Sequence, residues 1–350
     1  MFPELKIGSV SIGSPFVQAA LSGYSDAPMR YISKQLGASY SLCEVMLDQF
    51  LVAVKQRKKN RHFLTILDGE HPVGGQLMGA EPRQFAAGAV RLVEAGFDVI
   101  DINFGCPVKK VLGRCRGGYH LSQPENALRV IQATRDNVPD RIPVTVKMRR
   151  GIDDSPESED KFFQILDGAF EIGVSAITIH GRTVEQRYIG PSRWEFLRRV
   201  KQHVGDRCIL GSGDLFTAQS CIDMMQQTGV DGVTIARGAI GNPWIFQQVT
   251  ALANGLPLPP PPTVREQRDV ILEHYDLAEQ VYGERCGRQM RKFGIKYSAL
   301  HPEGKTVRDA FVRVSCRQQW LDVLDRWYGE DQPGVYPDPR IHEVQACSAT

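Results

Sequence analysis

At 350 residues, with 42% hydrophobic and 23% charged side chains, the chain is long and apolar enough to bury one large α/β core with a smaller unit beside it. Its formal net charge of +2 excludes wholesale coating by nucleic acid but leaves room for a local basic patch. No apolar run reaches the length of a bilayer span. The opening MFPELKIGSV lacks the charged-then-apolar layout of a signal peptide, so a cytoplasmic protein is the expectation. The eight cysteines (Cys43, Cys106, Cys115, Cys208, Cys221, Cys286, Cys316 and Cys347) are scattered without a C-x-x-C pair. They suggest neither a disulfide framework nor a zinc site.

In chain order, strand-like apolar runs fall at 15–21, 40–46, 74–79, 98–103, 143–148, 175–180, 208–213 and 231–236. Amphipathic patterns such as PRQFAAGAVRLVEAG, NALRVIQATRDN, FFQILDGAFEIG and TAQSCIDMMQQTG lie between them, several closed by a glycine suited to a helix C-cap. Near-continuously apolar strands alternating with helices indicate a buried parallel sheet. Eight of them predict a (β/α)8 TIM barrel over residues 1–256. A doubly wound sheet would need a G-x-G-x-x-G turn after the first strand, and QAALSGYSDAP has none.

Past the barrel, PLPPPP (257–262) is a stiff linker, because consecutive prolines neither continue a helix nor pair in a sheet. TVRE (263–266) is a capping-box pattern that opens a helix. Helical patterns then run to about 328, so residues 263–328 are expected to form a small C-terminal all-helical domain. Residues 329–350 read as a loose tail.

The active site of such a barrel belongs at the C-terminal ends of its strands. There the sequence delivers Gln76, Asn103 with Cys106 just beyond, Lys147 and Arg149, His180 and Arg182, Ser212-Gly213-Asp214, and Arg237-Gly238. The set is polar and cationic, with no cluster of metal-ligand character. The glycine-bearing loops after the last two strands suit an anion held by backbone N–H groups, although tight βα turns alone would use the same glycines. Further on, RCGRQMRKFGIK (285–296) carries Arg285, Arg288, Arg291, Lys292 and Lys296 without an acid. Positions 288, 291, 292 and 296 are expected on one helical face. KQRKKNRH (55–62) is a second basic run.

Taken together, these motifs resemble the tRNA-dihydrouridine synthase family, and most closely its bacterial type. The resemblance rests on SDAPMR (25–30), the strand with Glu44, GGQLMG (74–79), DINFGCPVKKV (101–111), VTVKMRRG (144–151), ITIHGRT (177–183), the 212–214 loop and ARGAIGNPWIF (236–246). They run in the family's order across about residues 8–330. Three motifs depart from the pattern and mark a divergent member. Ala19-Ala20-Leu21-Ser22-Gly23 stands where the family has A-P-M-A-G, Ser212 replaces the Asn of N-G-D, and Arg116-Gly117 replaces A-G.

The resemblance implies an FMN-dependent, NADPH-driven reduction of the 5,6 double bond of specific uridines in tRNA, carried out by a monomer without a metal. Hydride would pass from reduced FMN to carbon 6 and a proton from Cys106 to carbon 5. Thiols ordinarily titrate near about 8.5 and so carry their proton at neutral pH; a mobile loop would bring this one to the far face of the ring. The resemblance assigns FMN to Ala20, Leu21, Ser22, Gln76, Lys147, His180, Ser212, Gly213, Asp214, Ala236 and Arg237, with Lys147 and Gln76 at the ring's pyrimidine edge. It assigns Asn103 and Arg182 to the base or its phosphate, and Lys109 to RNA phosphates beside the catalytic loop. Arg288, Arg291, Lys292 and Lys296 would meet the tRNA. Two other readings stay open: an FMN oxidoreductase acting on a free pyrimidine, and an RNA-binding relative that has lost its flavin.

Overall fold

The structure is a computed structural model that describes residues 2–53 and 62–339. It opens with an antiparallel hairpin, β1 (Leu5–Ile7) and β2 (Val10–Gly13), turning through Gly8 at φ +56, where a glycine meets no steric penalty. The strands that follow are β3 (Phe16–Gln18), β4 (Ser41–Leu42), β5 (Met46–Leu47), β6 (Val73–Met78), β7 (Val99–Phe104), β8 (Val144–Arg149), β9 (Ala176–His180), β10 (Ile209–Ser212) and β11 (Gly232–Ile235). They pair in parallel in the order β4-β3-β11-β10-β9-β8-β7-β6, and β4 pairs with β6 to close the ring. The result is the eight-stranded barrel expected from the apolar runs. The second expected strand is interrupted: β4 and β5 both pair with β6, with Cys43–Val45 between them.

Outside the barrel lie α1 (Ala27–Gln35), α2 (Asp48–Ala53), α3 (Pro82–Glu94), α4 (Lys109–Leu112), α5 (Pro124–Asn137), α6 (Pro156–Ile172), α7 (Trp194–Val204), α8 (Ala218–Thr228) and α9 (Ile245–Ala253). The apolar stripes of the longer helices cover the outer strand positions: Val144, Val146 and Met148 of β8 share one buried cluster with Phe162, Ile165 and Leu166 of α6. The pleat sends alternate residues inward, so Thr145, Lys147 and Arg149 of β8 project to the barrel axis. The hairpin β1–β2 was not anticipated. Its Leu5, Ile7 and Ile12 join Val17, Leu42, Val99 and Leu210 in a second apolar cluster, which fills the lower barrel and leaves the upper end polar.

The helical region contains α10 (Val264–Tyr282), α11 (Gly287–Tyr297), α12 (Gly304–Phe311) and α13 (Arg317–Trp327). Thr263 and Glu266 form the expected capping box. The helical pattern that runs to about 328 is broken at 312–316, between α12 and α13. There the chain folds against α11 so closely that a Cβ on Gly287 would lie 2.6 Å from Ser315 O, and Gln319 Oε1 accepts the Ser315 N–H to start α13. The tail is not loose in its described part. Val264 N–H donates to Gln332 O, Val335 N–H to Leu300 O, and the Tyr336 hydroxyl to Pro259 O, tying 331–336 across the linker. The helices also lean on the barrel mouth: Tyr282 OH donates to Asp26 at 2.8 Å and Tyr24 meets Phe293 edge-on at 5.5 Å.

Candidate active site

The C-terminal end of the barrel holds a cavity of about 420 Å³, within the size range of ligand pockets. Each strand contributes to it in register. Gln76 sits opposite Asp101, Asn103 opposite Lys147, and Arg149 opposite His180, which is itself opposite Ser212. The lining includes Ala20, Leu21, Ser22, Gln76, Asn103, Cys106, Lys147, His180, Ser212, Gly213, Asp214, Ala236, Arg237 and Lys296. The structure therefore brings together Cys106 and all eleven residues expected at the cofactor.

Cys106 lies half-buried on the loop between β7 and α4, and its backbone is hydrogen-bonded on both sides. Asn103 Oδ1 accepts the Gly105 and Cys106 N–H groups at 2.9 and 3.1 Å. Gly105 O accepts from Arg149 Nε, and Cys106 O from the Gly118 N–H. The Arg116-Gly117 departure belongs to this clasp, since Gly117 at φ +59 lets the chain pass directly beneath Cys106. Asn103, expected at the substrate base, spends its carbonyl oxygen on this loop and one N–H on Gln76 at 2.7 Å.

Across the pocket, Gly213 at φ +118 has no space for a side chain beside Ser192. Asp214 follows at φ +60, with its carboxylate turned to Arg182 and to the Ser192 N–H. Arg182, expected at the substrate, is buried, ion-paired to Asp214 at 2.8 Å and bonded to Gly190 O, with Nη1 left without a partner. It shapes the 182–190 loop, whose exposed Tyr188 the sequence did not single out. Arg149 and Arg237 stack on that ring at 5.6 and 5.2 Å. The only signal was an aromatic following IHGRT.

The family model described as "Dihydrouridine synthase (Dus)" matches residues 17–329. The chain belongs to the dihydrouridine synthase family. It is 35% identical over 338 residues to a probable tRNA-dihydrouridine synthase of Mycobacterium tuberculosis, covering 93% of this chain and 85% of that one. It is 32% identical to tRNA-dihydrouridine synthase B of Xanthomonas axonopodis pv. citri, covering 95% and 98%. Among solved structures it is similar in fold to histamine dehydrogenase from Rhizobium sp. 4-9, with a TM-score of 0.56 at 14% identity over 79% of this chain and 50% of that one. Morphinone reductase in complex with tetrahydroNAD gives a TM-score of 0.54 at 14% identity, covering 75% and 92%.

Electrostatically the pocket is a concentration of cations. Burial pushes the Lys147 ammonium down to about 8, with Arg149 acting in the same direction against the opposing pull of Asp101 and Cys106. Burial also lowers Arg149 to about 10, leaving it charged. His180 is held well below the ordinary imidazole range by burial and then by the Arg149 and Lys147 charges, so it is neutral. Its Nδ1 accepts the Arg182 N–H at 3.2 Å, which places the proton on Nε2, the nitrogen beside Gly213. Arg237 is paired only loosely, 3.7 Å from Asp214.

The expected RNA face divides. Arg288 and Arg291 are exposed on α11, and Lys109 is exposed on α4. Lys292 instead lies over the Tyr24 and Phe293 rings at 5.2 and 5.0 Å, held by the packing of α11 on the barrel, and Lys296 lines the pocket. The basic run 55–62 falls, apart from His62, outside the described residues, as does the side chain of Arg285. Among the described residues no helix is long and apolar enough to cross a membrane.

Proposed function

We propose that this protein is a tRNA-dihydrouridine synthase that binds FMN, takes electrons from NADPH and reduces the 5,6 double bond of uridines in tRNA. The observation that carries this reading is one pocket holding a thiol, a neutral histidine N–H and a lysine whose charge burial weakens. Cys106, His180 and Lys147 all line it.

The pocket suits FMN. Its cations favour an anionic ligand, and the buried Thr234 Oγ1, also in the lining, is left without a partner, as expected where a polar ligand completes the site. Arg237, the Gly213 backbone and the loops bearing Ser212, Asp214 and Ala236 would hold the phosphate. Lys147, Gln76 and His180 would hold the polar edge of the ring, and Ala20, Leu21 and Ser22 its apolar floor. The departures at Ala20, Leu21 and Ser212 keep small or apolar groups in the lining, and this supports a flavin-binding member over a flavin-less one. When bound, the flavin supplies hydride to carbon 6 of the uracil.

The rest falls to the chain. Cys106 gives its proton to carbon 5, so that one hydride and one proton saturate the double bond. The charges of Lys147 and Arg149 stabilise the thiolate left behind until solvent reprotonates it. A uridine inside folded tRNA reaches a cavity at the top of a barrel only after flipping from its stack. The exposed Arg288, Arg291 and Lys109 would take the surrounding phosphates. The test is to incubate the protein with NADPH and tRNA that lacks dihydrouridine, then digest and quantify the modified nucleoside by mass. Dihydrouridine should form and require added or bound FMN. Turnover of free uridine monophosphate at a comparable rate would contradict the tRNA assignment.

A further inference from the structure

Resting on the reading of Cys106 as proton donor, one residue beneath the pocket gains a role. Gly105 and Cys106 have all four backbone polar groups occupied, two of them by Asn103 Oδ1. Asn103 Nδ2 donates to Gln76 Oε1 at 2.7 Å. Gln76 Nε2 donates to Asp101 Oδ2 at 2.7 Å, and Thr145 Oγ1 donates to Asp101 Oδ1 at 2.6 Å. Asp101 itself is 1% exposed. Every donor in this series points towards it.

The polarity of the series has one origin. Asparagine and glutamine amides present either end, so nothing intrinsic to Gln76 or Asn103 decides which way they face. Burial pushes the Asp101 carboxyl up, while the Thr145 and Gln76 hydrogen bonds and the Lys147 charge pull it back towards the ionised form, and in that form a carboxylate only accepts. It obliges Gln76 to turn its NH₂ inward and its carbonyl to Asn103. Asn103 must then turn its own NH₂ to Gln76 and its oxygen to the two loop N–H groups. With the series reversed, Asn103 would aim N–H at N–H and release the loop.

We propose that Asp101 is a positioning residue for the reaction: as the acceptor-only end of the series, it orients two amides and through them fixes the backbone of Cys106. The substrate then comes to a preset thiol rather than being covered by a closing loop.

Asp101→Asn tests this at constant volume, because it removes the polarity and little else. Two readouts apply: the rate at which iodoacetamide labels Cys106, followed on its own peptide, and the two half-reactions of the flavin-loaded enzyme under anaerobic conditions. D101N should raise Cys106 labelling several-fold. It should slow re-oxidation by unmodified tRNA on the order of 100-fold, the usual cost of misplacing a reacting group by an ångström. Bleaching by NADPH should slow far less, because Gln76 is only one of the groups at the ring's edge and Cys106 takes no part in that half-reaction. Adding Gln76→Glu restores an acceptor-only group one step along, so the D101N/Q76E protein should label like wild type. Thr145→Val leaves Asp101 an acceptor and should leave labelling unchanged.

Wild-type labelling in D101N, failure of Q76E to reverse the change, or release of the loop by T145V as well would overturn the proposal. The last outcome would reduce Asp101 to core packing. Failure of wild-type reduced enzyme to react with tRNA would instead remove the functional reading, while the labelling comparison still judges Asp101.

Discussion

On one side of the pocket Gln76 of β6, Asp101 and Asn103 of β7 and Thr145 of β8 are hydrogen-bonded to one another, whereas on the β9–β11 side donors are left facing the cavity. Gln76, Asp101, Asn103 and Thr145 form a closed series ending at the Cys106 backbone. Opposite them, His180 keeps one N–H to give, Gly213 presents bare backbone, and Arg237 has only a loose partner. The difference matches two tasks. Proton delivery needs a group held in one geometry, and catalysis falls steeply when that geometry drifts. Holding an anion needs charge and N–H groups not already spent on the protein.

The largest expected effect breaks the first side alone. Cys106→Ala should lower dihydrouridine formation by about 10²–10⁴-fold, the usual range for removing a general acid. FMN binding and bleaching by NADPH should survive, and single-turnover absorbance of the two half-reactions separates them. On the other side, Arg237→Ala should weaken FMN binding by about 10–100-fold, as expected when a charge-assisted hydrogen bond worth about 1.5–3 kcal/mol is lost. Flavin fluorescence titration measures it, and unchanged affinity would remove Arg237 from the site.

The lysine between the two halves gives a pH test. Lys147 titrates near 8 in the folded protein against an ordinary 10.5. Affinity for FMN should therefore fall as pH rises above 8 and the cation is lost, by up to about tenfold per unit. Folding stability should move the other way. Between pH 8 and 10.5 the unfolded chain binds more protons at this residue than the folded one, so this contribution to stability rises with pH. Lys147→Gln should flatten both dependences. The smallest effect belongs to the helical surface. Arg288→Ala or Arg291→Ala should weaken tRNA binding only a few-fold and reduce its salt slope by about 1.

Much of this was legible in the sequence because strand ends and loops in a barrel keep a fixed relation to the mouth. The eight apolar runs located the strands, and their last polar residues located the pocket, down to Gly213 and Cys106. What stayed hidden depends on pairing between distant residues. Arg182 and Asp214 are each plausible ligands on their own, and only their contact across two strands turns them towards each other. Lys292 fits a basic helical stripe, yet the packing of α11 on Tyr24 puts it over rings instead of in solvent. Asp101 looked like one polar residue in an apolar strand; the partners that give it a role lie 25 and 44 positions away. The β1–β2 hairpin was too short for its periodicity to register.

The central claim is that electrons pass from NADPH through bound flavin to a uridine protonated by Cys106. Its most direct measurement is anaerobic stopped-flow absorbance of the FMN-loaded protein, reduced with NADPH and then mixed with tRNA lacking dihydrouridine. The flavin band should bleach with NADPH and return on mixing with the tRNA, with dihydrouridine formed in step, and C106A should bleach but not return. A protein that takes up no FMN, or a reduced flavin that such tRNA leaves bleached, would contradict the account.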